Sequence, residues 1–154
     1  MLDCAHGATY HIAESVFSEL GAHTITLSKE PNGLNINEHC GSTDLTSITQ
    51  AIRTEHADLG IAFDGDGDRA LLVDAQGHII DGDDMLYIIA KHAQKRDKLK
   101  GTGVVGTVMT NLGIEQAFHA ANIPFERAAV GDKHVMAMLK TLGWFIGGEP
   151  SGHI

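Results

Sequence analysis

Two hydrophobic rhythms alternate along the chain. Short runs of β-branched and other apolar residues, of strand length, are separated by longer stretches with apolar positions three and four residues apart. Leu2 to Ala5 is the stub of a first strand. Gly7 opens a helix of about Ala8 to Leu20, with Gly21 as the residue just past its end. His23 to Leu27 predicts a strand, and residues 28–42 a long loop with a turn at Pro31-Asn32-Gly33. Thr43 or Asp44 caps a helix to about Glu55. Asp58 to Phe63 is a compact apolar strand. Ala70 to Val73 and His78 to Ile80 flank a turn at Ala75-Gln76-Gly77 and predict a hairpin.

Asp83 or Asp84 then starts a helix to about Gln94, with acids where the positive end of the helix favours them. Residues 95–101 are the most polar run and predict a boundary. Beyond it the pattern gives a strand at Gly103 to Val108, a helix at Asn111 to Ala121 and a strand at Phe125 to Val130. A helix at Asp132 to Leu142 and a strand at Trp144 to Ile146 complete it. Alternation of this kind predicts the α/β class. The expectation is two consecutive α/β units, 1–98 and 99–154, with mixed, mainly parallel sheets flanked by helices.

The strand ending at Phe63 feeds Asp64-Gly65-Asp66-Gly67-Asp68-Arg69. Carboxylates at i, i+2 and i+4 diverge on a helix but share one side of an extended loop. The intervening glycines let the backbone curl around a point. Three carboxylates aimed at one point repel unless a cation sits there, and oxygen-only ligands select a hard ion such as Mg²⁺, Mn²⁺ or Ca²⁺. An EF-hand beginning at Asp64 would need Gly at its sixth position and Glu at its twelfth, where Arg69 and Ala75 stand. A phosphatase loop of the haloacid-dehalogenase type also has Asp-x-Asp after a strand, but with Thr or Val where Asp68 stands. Arg69 either neutralises the acids or binds a phosphate bridged to the same metal, which guanidinium geometry suits.

The last strand delivers Gly147-Gly148-Glu149-Pro150-Ser151-Gly152-His153. Glu149 and Ser151 offer hydrogen bonds to sugar hydroxyls. His153 offers a group that exchanges a proton near neutral pH.

Composition narrows the partners. The 154 residues carry a net charge of −9, which argues against a nucleic-acid partner because a phosphate backbone needs a basic surface. A small phosphorylated substrate remains compatible, since a metal and one or two placed cations can hold it. Cys4 and Cys40 have no CxxC spacing and read as reduced thiols. The ten histidines are scattered. No segment has the roughly 18 apolar residues of a membrane span, and the start lacks a signal-peptide pattern. A cytoplasmic location and no membrane partner are expected.

Together the two loops resemble the α-D-phosphohexomutase superfamily. Its members carry a DGDGDR metal loop in their second domain and a GExSGH sugar loop in their third. Here these are Asp64 to Arg69 and Gly148 to His153. Asp3 to Tyr10, Pro31 to Asn37 and Val130 to His134 are similar to the bacterial phosphoglucosamine mutase branch. The resemblance implies Mg²⁺ on Asp64, Asp66 and Asp68, catalytic roles for Arg69 and His153, and substrate contacts from Glu149, Ser151 and Lys133.

The resemblance also implies interconversion of glucosamine 6-phosphate and glucosamine 1-phosphate through a phosphoserine and a bisphosphate, in amino-sugar and peptidoglycan precursor synthesis. Phosphomannomutase or phosphoglucomutase activity is the alternative, as is a non-catalytic metal- and phosphosugar-binding piece. The family's Ser-Ala-Ser-His-Asn-Pro motif does not occur here. The expectation is therefore a fragment holding the second domain and most of the third, without the first and fourth, and inactive alone.

Overall fold

The computed structural model describes all 154 residues. They divide into two compact units, Met1–Ile80 and Asp81–Ile154. The first contains a five-stranded mixed sheet in the order β2-β1-β3-β4-β5. Its strands are β1 (Leu2–Asp3), β2 (Thr26–Leu27), β3 (Leu59–Phe63), β4 (Ala70–Asp74) and β5 (Ile79–Ile80). β1 pairs in parallel with β2 and β3, while β4 and β5 continue antiparallel as the predicted hairpin.

Period-two alternation in β3 sends Ala62 to one face and Ile61 and Phe63 to the other. Ala62 and Val73 pack with Ile48 and Ile52 of helix α2 (Thr46–Glu55). Gly60 lets α2 lie close, since a Cβ there would come within 2.4 Å of the Ile52 side chain. The opposite face joins Leu2 and Cys4 to Ala13 and Phe17 of α1 (Ala13–Glu19).

The predicted helix of about Ala8 to Leu20 forms as a 3-10 turn, Ala8–His11, followed by the short α1. The physical reason is an outside partner. The Ala8 N–H donates to the Gly65 carbonyl at 2.8 Å, and Tyr10 and Ile12 then close i to i+3 bonds. The strand predicted at His23 to Leu27 contracts to Thr26–Leu27.

The second unit holds a three-stranded, wholly parallel sheet in the order β7-β6-β8. Its strands are β6 (Val104–Thr107), β7 (Phe125–Ala128) and β8 (Ile146–Gly147). Helices α3 (Gly82–Lys95) and α4 (Leu112–Ala120) cover one face through Leu86, Ala90 and Phe118, packed with Val104, Phe125 and Ile146. Helix α5 (Asp132–Leu142) covers the other through Val135 and Leu139, packed with Val105 and Ala128.

This packing moves the boundary expected at 98/99 to Ile80/Asp81. The polar run 95–101 marks a surface turn, whereas α3 before it donates Leu86 and Ala90 to the second core. The start of α3 is fixed by a capping box: Asp81 accepts from the Asp83 and Asp84 N–H groups, and the Asp84 carboxylate accepts from the Asp81 N–H.

Leu86 is fully buried, so Leu86→Ala is expected to cost about 2–5 kcal/mol of stability. Native-state amide exchange should accelerate in β6 and β7 more than in β3 and β4. Equal or greater acceleration in β3 would place α3 with the first unit.

Candidate metal and phosphosugar sites

The acidic loop begins where β3 ends, at the carboxyl edge of the first sheet, the usual position of ligand sites in open α/β sheets. Asp64 organises it. Its side chain is 1% exposed. Oδ1 accepts from the Gly67 and Arg69 N–H groups, each at 3.1 Å, and Oδ2 accepts from Arg69 Nε at 2.7 Å. The Asp64 N–H donates to the Arg69 carbonyl at 3.2 Å, closing the loop on itself.

Asp66 and Asp68 are exposed, and one carboxylate oxygen from each of the three aspartates lies within 4.8 Å of the others. Ligands opposite one another around Mg²⁺ are about 4.2 Å apart and adjacent ones about 3 Å. All donors are oxygens, so the residues fit a hard divalent cation. Asp66's own backbone N–H lowers its carboxyl pKa, but the charges of Asp68 and Asp64 outweigh that and hold it above the ordinary Asp value. Arg69 also approaches Asp68, at 3.8 Å, and its side chain is 40% exposed, so its outer edge faces solvent.

Two segments brace this loop from behind. The fully buried Asp3 carboxylate ends β1 and accepts from the Ala5 N–H at 3.0 Å and the Gly41 N–H at 2.9 Å. Gly7 lies so close to Gly65 that a Cβ would sit 2.2 Å from the Gly65 oxygen. Gly65 in turn lies against Ile36 and Asn37. The sequence reading did not single out Asp3 or Gly7 as site residues. An acid at a strand end and a glycine four residues after it were the available signals.

In the second unit, Glu149 is 7% exposed, at the carboxyl edge just beyond β8. Its Oε1 accepts from the Gly131 N–H at 2.8 Å and its Oε2 lies 3.5 Å from His153 Nδ1. The Gly152 N–H donates to the Glu149 carbonyl, and the Glu149 N–H to the His153 carbonyl. These bonds bring Glu149 and His153 together and leave Ser151 exposed at the tip. Lys133 is exposed in the first turn of α5, two residues from the Gly131 that Glu149 holds.

Gly82 and Asp83 were also missed as site residues. The Gly82 N–H donates to the Pro150 carbonyl at 3.1 Å, and a Cβ on Gly82 would strike the Glu149 carbonyl. Asp83 Oδ2 accepts from the Asn111 N–H at 2.8 Å. Burial pushes the Asp83 carboxyl pKa up, with the Asn111 bond pulling against it.

Family models match both units of the chain. Residues 1–77 match domain II of phosphoglucomutase/phosphomannomutase, an alpha/beta/alpha domain, and residues 81–154 match domain III. The chain belongs to the phosphoglucomutase/phosphomannomutase family. A phosphoglucosamine mutase of Pseudomonas fluorescens is 61% identical over the whole chain, which covers 34% of that relative. One from Thiobacillus denitrificans is 54% identical over the whole chain, covering 33% of it. The chain thus spans about a third of the length of these relatives.

Among solved structures, a phosphoglucomutase/phosphomannomutase family protein from Burkholderia thailandensis superposes with a TM-score of 0.87. It is 26% identical, and the match covers 98% of this chain and 33% of that one. The Aspergillus fumigatus N-acetylphosphoglucosamine mutase, solved in complex with GlcNAc-6P and magnesium, has the same fold. Its TM-score is 0.75 at 21% identity, over 99% of this chain and 34% of its own. No helix here is long and apolar enough to cross a membrane.

Two outcomes are expected for this family member. Gly7→Ala should displace Gly65 and lower Mg²⁺ affinity by about 10–100-fold, the range for lost support behind a metal ligand. Isothermal titration checks this, and unchanged affinity would mean the contact does not hold the loop. The second outcome concerns pH. Protons compete with the metal, and the raised Asp66 pKa lifts the onset of that competition. Affinity should start to fall, as pH is lowered, above the ordinary Asp value of about 3.9. Affinity constant down to that value would contradict the crowding of the three carboxylates.

Proposed function

We propose that this chain supplies the metal-binding and sugar-recognition portions of a phosphoglucosamine mutase, which interconverts glucosamine 6-phosphate and glucosamine 1-phosphate. The observation that carries the reading is the convergence of Asp64, Asp66 and Asp68. Identity near 60% with phosphoglucosamine mutases along the whole chain supports the choice of substrate. Phosphoryl transfer asks little covalent chemistry of a protein and depends on positioning and charge neutralisation.

Magnesium, held by the three aspartates, would supply that neutralisation. Arg69, anchored through Nε to Asp64, offers its outer guanidinium edge to a phosphate oxygen. Its anchor keeps that edge oriented without loss of side-chain freedom on binding. Glu149 and Ser151 hydrogen-bond sugar hydroxyls. Glu149 is the more rigid of the two, because Gly131 and His153 both engage it. His153, paired with Glu149, holds a proton beside the hydroxyl that accepts or releases the phosphoryl group. Lys133 adds a positive charge for the substrate phosphate. The phosphoryl carrier is a phosphoserine that this sequence does not contain, so the chain alone turns over no substrate.

A chimera tests the assignment. This chain replaces the matching segment of the Pseudomonas fluorescens phosphoglucosamine mutase. The chimera is expected to show magnesium-dependent conversion of glucosamine 6-phosphate, with kcat/KM at least about tenfold above that for glucose or mannose 6-phosphate, about 1.4 kcal/mol of transition-state binding. Asp66→Asn should lower kcat/KM in the same chimera. A preference for either neutral sugar would defeat the substrate assignment, and turnover indifferent to Asp66→Asn would defeat the metal assignment.

A further inference from the structure

The turn after β6 contains two apolar side chains with no place in a core. Val108 is 62% exposed and Met109 66%. Loops of this kind are ordinarily mobile, yet this one is pinned at nearly every backbone group. Arg127 Nη1 donates to the Thr107 carbonyl at 3.0 Å and the Thr110 carbonyl at 2.9 Å, and Glu115 holds Arg127 through Nη2 at 2.6 Å. The Thr107 N–H donates to Thr110 Oγ1, the Met109 N–H to Thr107 Oγ1, and the Val108 N–H to the Ala128 carbonyl. The Asn111 N–H reaches Asp83.

That last contact is costly. Asp83 is 2% exposed, and its Oδ1 is buried without a hydrogen-bond partner. A buried carboxylate kept in this state costs stability. What it secures is alignment. Gly82 holds the Pro150 carbonyl of the Glu149–His153 loop, and the adjacent Asp83 holds the turn after β6. One dipeptide at the start of α3 therefore fixes two loops. Both lie at the carboxyl edge of the parallel sheet, after the neighbouring strands β6 and β8.

We propose that Val108 and Met109 form an apolar floor that receives the C–H face of the hexose ring, with Asp83 as the positioning residue that sets this floor against the Glu149 loop. The inference rests on the sugar-recognition reading of Glu149 and Ser151 above. A pyranose has an apolar face as well as hydroxyls, and polar contacts at its edge leave that face to be covered. A rigid pair of apolar side chains covers it with little ordering cost. Thioether and isopropyl groups tolerate the ring in either orientation, as phosphoryl transfer at both the 1- and 6-positions requires.

The test labels the methionine methyls of this chain with carbon-13 and titrates it with glucosamine 6-phosphate. Inorganic phosphate at equal concentration serves as the control. The Met109 methyl, assigned by Met109→Leu, is expected to shift together with the Glu149, Ser151 and Gly152 amides. It should not shift with phosphate alone. Met109→Ala should weaken sugar binding about tenfold. Asp83→Ala should abolish the Met109 response while Asp83→Asn, which retains an acceptor for the Asn111 N–H, restores it.

Shifts in the Glu149 loop with a silent Met109 methyl would overturn the floor and leave the sugar reading standing. A Met109 response equal for phosphate and sugar would also overturn it. No response at either place at saturating sugar would overturn both. A Met109 response that survives Asp83→Ala would remove Asp83 from the account.

Discussion

The Asp64 carboxylate is the constraint on which the acidic loop depends. It is almost wholly buried, and three donors from its own loop satisfy it: two backbone N–H groups and the Arg69 Nε. A buried carboxylate robbed of such partners costs several kcal/mol, on the order of 3–5 when an ion pair is broken. Each donor pulls the chain back toward residue 64. With the backbone bent that way, Asp66 and Asp68 present their oxygens within 4.8 Å of that of Asp64. Their repulsion is the cost of the arrangement, and a divalent cation would relieve it.

The bend needs support, because a six-residue loop does not hold three like charges together unaided. Asp3 supplies part of it by clamping the backbone at Ala5 and Gly41. Gly7 and Gly65 supply the rest by lying closer than any side chain would permit. The second unit follows the same logic with different residues. There a buried acid, Asp83, and an adjacent glycine, Gly82, hold the loops that follow β6 and β8. In both units a carboxylate without solvent contact organises backbone around more exposed polar side chains.

Much of this was legible in the sequence, for reasons that differ by element. The strand ending at Phe63, the hairpin after it and helices α2 and α5 follow from apolar period and turn residues, which are local signals. The three aspartates were legible because their spacing acts only within the loop. The break in the predicted helix 8–20 was not, since its cause is the Gly65 carbonyl, distant in sequence. Nor was the boundary at Ile80/Asp81, because the polar run after α3 says nothing about which core Leu86 and Ala90 join. Asp3 and Asp83 escaped for a similar reason: their partners, Gly41 and Asn111, are 38 and 28 residues away.

The most direct test of the account is where a divalent ion binds. Mn²⁺ added at substoichiometric levels to the isotope-labelled chain should broaden the amides of Asp64 to Arg69 first, with Gly7 and Ala8 next because they lie against Gly65. Broadening that begins instead at the other acidic stretch, Asp81 to Asp84, or that spreads evenly over the exposed carboxylates, would contradict the claim that Asp64 builds a metal site.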